Sequence, residues 1–151
     1  MYDALQRGEA NAVLLDTSLL VAYFHPDDTN HVAARAFFAG VREETIRARP
    51  LYTSEYVVDE TATTLLGRMS HDRAMQALSF LESSSHLRVL HVDPPTYERT
   101  RAQFGAYDDQ AASFTDHVIA VQARAHDIEY AVSFDGDFER FDLVTLPTVP
   151  E

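Results

Sequence analysis

Short unbroken apolar runs alternate along this chain with longer stretches in which apolar residues return every third and fourth position. The first rhythm marks buried strands and the second amphipathic helices. Residues 12–16 (AVLLD) make the first run, and residues 19–24 follow as a helical turn. Beyond a loop holding Pro26 and two aspartates, Val32, Ala36, Phe37, Gly40 and Val41 fall at helical spacing, and the polar run 42–49 ends that element. Residues 51–53 read as a short strand. Ser54 is then an N-cap for a helix reaching about Arg68, with Val58, Ala62, Leu65 and Leu66 on its apolar face. A further helix, 70–81, carries Ala74, Ala77, Leu78 and Leu81 at the same period; residues 87–92 form a strand, and Pro94 with Pro95 opens a helix by presetting φ in its first turn. A loop at Asp108 and Asp109 leads to a helix over 114–127, a strand over 130–134, a turn or short helix over 135–141 and a last strand over 143–146.

Strands and helices taken in turn predict an α/β fold in three layers, α/β/α, around a central, mainly parallel sheet. No repeat or linker marks a second unit, so residues 1–151 are expected to form one domain, with 1–11 a short N-terminal extension and 147–151 a C-terminal tail. A chain of 151 residues can bury a core of its own without staples. No segment approaches the roughly 20 apolar residues of a membrane span, and the first residues are polar. A cytoplasmic protein is expected, with no membrane partner.

Composition closes several chemistries. There is no cysteine, which removes disulfides, thiolate metal sites and a thiol nucleophile. All 12 basic residues are arginine. Without lysine, P-loop phosphate binding, Schiff-base catalysis, haloacid-dehalogenase phosphatases and response-regulator receivers cannot operate in their usual way. The five glycines are scattered, so neither a dinucleotide turn nor a phosphate-cradling loop is present. The seven histidines form no H-E-x-x-H pattern and are expected to be surface or partly buried polar residues. His25, between the first two helices, and His117, beside Asp116, are the two to follow.

What remains is carboxylate chemistry. Asp16 ends the first strand and Asp135 a later one, and open parallel sheets bind ligands at the carboxyl ends of their strands. Taken singly, each is also accounted for as a turn former or N-cap. Asp116 shares the i, i+3, i+4, i+7 stripe of its helix with Ile119, Ala120 and Ala123, where a carboxylate needs a partner. It equally suits a helix-start acid that complements the macrodipole. Periodicity does not choose Glu60 over its neighbour Asp59.

Three segments in combination carry a family resemblance: LLDTSLLVAYF, TSEYVVDETATTLLGR and SFTDHVIAVQARAHDIEYAVSFDGDF. The chain resembles a PIN domain, the fold of VapC-type toxin ribonucleases, over nearly its whole length. The resemblance implies an acidic quartet of Asp16, Glu60, Asp116 and Asp135, with Ser18 and Thr115 as polar neighbours that orient water or phosphate. Asp137 is an alternate for Asp135 and is otherwise a helix-start residue. Thr115 also suits an N-cap.

Crowded carboxylates repel one another, and a hard cation such as Mg²⁺ or Mn²⁺ relieves that repulsion. Bound there, such ions activate water for in-line attack on a phosphodiester. Asp16 and Asp116 are the first candidates for direct ligands, and Glu60 and Asp135 for a second ion, its waters or the general base. A net charge of −12 repels nucleic acid at long range. RNA binding would therefore rest on metal and on arginines such as Arg42, Arg47, Arg49, Arg68 and Arg73, some of which are simply solvated. The resemblance further implies an antitoxin partner, here one with a basic segment, and a homodimer. The expected function is a metal-dependent endoribonuclease of a toxin–antitoxin pair. Its rival is a non-catalytic PIN-like module for protein or RNA binding; a metal-dependent phosphatase is disfavoured because Asp16 is followed by Thr-Ser and not by a D-x-D pattern.

Overall fold

The computed structural model describes residues 1–108 and 111–147; Asp109 of the expected loop and residues 148–151 of the expected tail lie outside them. Five strands form one sheet: β1 (Asn11–Leu15), β2 (Ala48–Ser54), β3 (Leu87–Leu90), β4 (Tyr130–Val132) and β5 (Val144–Leu146). Every neighbouring pair is parallel, in the order β3-β2-β1-β4-β5. Consecutive residues of a strand face opposite sides, and Val13, Leu14 and Leu15 are all fully buried. Both faces of β1 are therefore covered, as its unbroken apolar run predicts.

Six helices supply the cover: α1 (Thr17–Phe24), α2 (His31–Arg42), α3 (Glu55–Arg68), α4 (His71–Ser83), α5 (Pro94–Ala106) and α6 (Phe114–Ala125). α1 packs on α2 and α3, α3 on α4, and α5 on α6. The caps follow the sequence: the Ser54 hydroxyl accepts from Tyr56 N and the Asp93 carboxylate from Thr96 N ahead of Pro94 and Pro95. No described helix is long and apolar enough to cross a membrane.

Local hydrogen bonds explain where the elements depart from expectation. β3 stops at Leu90 because the Val92 N–H turns to the Glu55 carboxylate. β4 stops at Val132 because the Phe134 N–H goes to Ser18 Oγ at 2.9 Å. On α3 the buried stripe is Val57, Thr61 and Leu65, whereas Leu66 is exposed, so the helix is rotated from the face that hydrophobicity suggests. His117 is fully buried, ringed by Phe104, Tyr107 and Phe141, and is not the surface or partly buried residue expected. The N-terminal residues are built into the core. Leu5 is fully buried, the Tyr2 ring meets Phe37 at 5.3 Å, and Leu5 O accepts from Arg47 N at 2.7 Å.

Candidate active site

The order of the sheet reverses between β1 and β4: one side of the sheet grows outward from β1 through β2 to β3, the other from β4 to β5. At such a switch point the connections leave in opposite directions and open a crevice beyond the strand carboxyl ends. A cavity of about 470 Å³ occupies that place, and Asp16, Glu60, Asp116 and Asp135 all line it. The four arrive on four segments: the turn from β1 into α1, the middle of α3, the first turn of α6 and the turn after β4. Ser18, Asp28, Asn30, Thr64, Arg68 and Ser113 share the lining. A second concavity, about 530 Å³, lies at the opposite end of the strands, around Arg42, Arg47, Arg49 and His86. It holds a single carboxylate, Glu44, and lies at the end where parallel sheets do not assemble active sites.

Asp16 occupies the N-cap position of α1, yet its side chain makes no capping bond. It turns instead toward β4, where Ser133 Oγ donates to Asp16 Oδ2 at 2.7 Å. Only 5% of the residue is exposed. Burial pushes its pKa up to about 7; the Asp135 and Asp116 carboxylates add to the rise, while the Ser133 hydroxyl and the Thr17 N–H oppose it.

Ser133 is the junction of the site, and the expectations from sequence did not include it. Its Oγ lies 2.7 Å from Asp16 Oδ2, 3.3 Å from Asp135 Oδ1 and 3.1 Å from Ser18 Oγ, and it accepts from Gly136 N at 2.9 Å. A hydroxyl has one proton, and the shortest contact assigns it to Asp16. Ser18 Oγ then donates to Ser133 while accepting from Phe134 N, which ties the start of α1 to the end of β4. The signal for Ser133 lay in its position, a small polar residue directly after a buried strand. Gly136 is required by proximity: a Cβ there would strike the Phe138 ring and lie 2.9 Å from Ser133 Oγ.

Asp116 reconciles both readings of its sequence position. Ser113 is the N-cap of α6, not Thr115, and closes a capping box: Ser113 Oγ accepts from Asp116 N at 3.1 Å and Asp116 Oδ2 accepts from Ser113 N at 2.9 Å. Asp116 Oδ1 has no hydrogen bond among the described residues and remains available to the cavity. Glu60 lines the cavity from α3, whereas Asp59, about 100° round the helix, lines only an adjoining groove with Tyr56, Thr63 and Thr115. Thr115 thus stands beside Glu60 but outside the main cavity. Asp137 is outside as well. It accepts from Glu139 N at 3.2 Å, beginning the short 3-10 turn Glu139–Phe141, and lies 3.6 Å from Arg140.

Among the described residues no three acidic or histidine side chains converge closely enough to chelate one ion directly. The donors are hard oxygens, one of them a buried carboxylate held near neutrality by its surroundings. That set fits a cation that keeps most of its water and takes one or two carboxylates, the habit of Mg²⁺ and Mn²⁺.

A PIN domain family model matches residues 13–143, from β1 to the edge of β5. No curated protein matches the chain by sequence. Among solved structures, the sarcin-ricin loop cleaving toxin VapC20 of Mycobacterium tuberculosis is similar at 28% identity and a TM-score of 0.79, over 88% of this chain and 97% of that one. A toxin-antitoxin complex from Klebsiella pneumoniae (20% identity, TM-score 0.56, 84% and 90% covered) shares the fold. So does DNA-bound VapBC of Salmonella typhimurium (18%, 0.59, 89% and 96%).

Proposed function

We propose, from the premise that this chain belongs to the PIN domain family, that it is a divalent-metal-dependent endoribonuclease acting as the toxin of a toxin–antitoxin pair. The observation that carries this reading is the convergence of Asp16, Glu60, Asp116 and Asp135 from four segments onto one cavity at the switch point of the sheet. A purely structural role leaves unexplained why Asp16 is buried beside Asp135 and Asp116, where desolvation and then their charges disfavour its ionised form.

In this reading Asp16 and Asp116 would hold the ion, Asp116 Oδ1 being the oxygen left over from the capping box. Glu60 and Asp135 orient its waters, and Ser18 helps fix Asp16 through Ser133. Bound there, Mg²⁺ or Mn²⁺ would supply water activation and charge neutralisation for phosphodiester hydrolysis. Ser133 would keep Asp16 in one rotamer, and Glu60, exposed on α3 and lining the cavity, would accept the proton of an attacking water. The described residues would act as one unit, because Tyr2 and Leu5 belong to the same core as β1.

The partner would be an antitoxin with a basic segment, complementary to a chain of net charge −12. The test is cleavage of structured and single-stranded RNAs by the chain freed of any partner, with and without Mn²⁺, beside Asp16→Asn as control. Cleavage that needs both metal and Asp16 supports the reading. No cleavage, together with a melting temperature unmoved by millimolar Mn²⁺, would favour a binding module.

A further inference from the structure

We propose that Arg68 anchors the substrate in this cavity by gripping an RNA phosphate that flanks the one being cut; this rests on the nuclease reading above. Glu60, Thr64 and Arg68 follow one another at i, i+4 and i+8 on α3, and all three line the cavity. At 1.5 Å per residue, Glu60 and Arg68 stand about 12 Å apart along the helix axis. Even with the side chain leaning back toward the helix N-terminus, that spacing leaves room for Arg68 to meet a phosphate next to the scissile one.

Arg68 is the one cation among the described residues of the cavity, against Asp16, Asp28, Glu60, Asp116 and Asp135. Despite that company it makes no ion pair or hydrogen bond with any described residue. Among the described residues nothing engages its five donors, which suit a ligand. The turn that carries it is fixed from below: Leu65 and Met69 pack into an apolar cluster with Val21, Phe24, Ala74 and Ala77. Met69 N and Ser70 N both close on Leu65 O, at 2.8 and 3.1 Å. Thr29, Asn30 and Thr64 add uncharged hydrogen-bonding groups to the lining. A planar guanidinium matches two phosphate oxygens at once. In so acidic a chain, long-range attraction to RNA is absent, which makes a local phosphate contact decisive.

Two roles unconnected with RNA are available to Arg68: a last-turn cation complementing the α3 macrodipole, and a counter-charge to the carboxylates of the cavity. Neither depends on the phosphates of a ligand. The experiment uses the full chain and a labelled single-stranded RNA oligonucleotide with one uncharged methylphosphonate moved along successive linkages. Binding is read by anisotropy in EDTA across a range of salt, and cleavage in Mn²⁺ under steady state. Arg68→Ala is expected to weaken binding about tenfold and to flatten the log–log salt slope by about 0.7, one contact's worth on a single strand. KM should rise in step, with kcat changed less than about threefold. One methylphosphonate position should weaken the parent protein and leave Arg68→Ala unaffected. Arg68→Lys should keep the slope and recover part of the affinity.

Equal affinity and slope in parent and Arg68→Ala overturns the proposal, as does a loss indifferent to methylphosphonate position. Should Arg68→Ala melt early, Arg68→Gln against Arg68→Lys makes the same comparison at similar length. A parent that binds RNA through Arg68 but never cleaves it would sink the nuclease reading alone; one that cleaves RNA while Arg68→Ala behaves identically would sink the anchor alone. A parent that neither binds nor cleaves sinks both.

Discussion

Asp16 combines near-complete burial with a pKa pushed up to about 7, first by desolvation and then by Asp135 and Asp116. A carboxyl whose folded pKa exceeds its unfolded value of 3.8 binds more protons in the native state between those limits. Stability from this group is therefore complete below about pH 4 and is lost as pH rises toward about 7. Metal-free protein should lose up to a few kcal/mol over that window, at about 1.4 kcal/mol per unit, and Asp16→Asn should flatten the profile. Denaturant melts at several pH values in EDTA would show it; a parent and an Asp16→Asn variant with the same slope would contradict the assignment. Ser133→Ala removes the donor that holds the pKa down, so Asp16 should titrate higher still. The expected cost is about 1–3 kcal/mol for the broken buried bonds. Metal affinity by calorimetry should fall at pH 7 and recover progressively as rising pH ionises Asp16 in the variant as well. A deficit that does not change with pH would mean that Ser133 acts only as a spacer.

The decisive element is the first turn of α6, where one carboxylate caps the helix with Oδ2 and offers Oδ1 to the cavity. Asp116→Asn should thus bring two opposing effects on stability. Weakened interaction with the helix N-terminus costs a few tenths to about 1 kcal/mol, while relief of repulsion at Asp16 acts the other way. The metal-free melting temperature should move little in either direction. Metal binding and RNA cleavage should both collapse, since an amide oxygen is a poorer ligand for a hard cation. A variant that still cleaves at the parental rate would leave Asp116 as a cap and nothing more.

At the level of the whole molecule, the residues before β1 belong to the core that positions the site. Leu5 is fully buried, and its carbonyl receives the Arg47 N–H just ahead of β2. Leu5→Ala should cost about 2–5 kcal/mol, as for other buried leucines, although the residue packs at the amino ends of β1 and β2, opposite the carboxylates of the site. Melts should show the loss, and Mn²⁺ should restore part of it, because an ion bound only by the native state stabilises it by about 2.7 kcal/mol at a hundredfold excess over Kd. A cost below about 0.5 kcal/mol, the level of ordinary surface substitutions, would show that the N-terminal turn is merely laid on the surface.

Much of this was legible in the chain. Apolar runs, helical spacing and the Pro94–Pro95 pair marked the five strands and six helices of the described residues in order, because burial on both faces makes a strand uniformly apolar and burial on one side imposes a period of 3.6 on a helix. The four acids were named from motifs, and their meeting in one cavity follows from a strand order that no local pattern contains. Three matters were decided only by tertiary contact. Glu60 differs from Asp59 through the rotation of α3, which packing on Val57, Thr61 and Leu65 sets against the hydrophobic pattern. Ser133 gained its place because β4 ends where Ser18 takes the next N–H, a bond between residues 116 positions apart. Arg68, one arginine among 12, is distinguished by the cavity that α3 turns it toward. Sequence periodicity records which side of an element is buried, whereas a site depends on which element lies opposite, and that is fixed only when the layers pack.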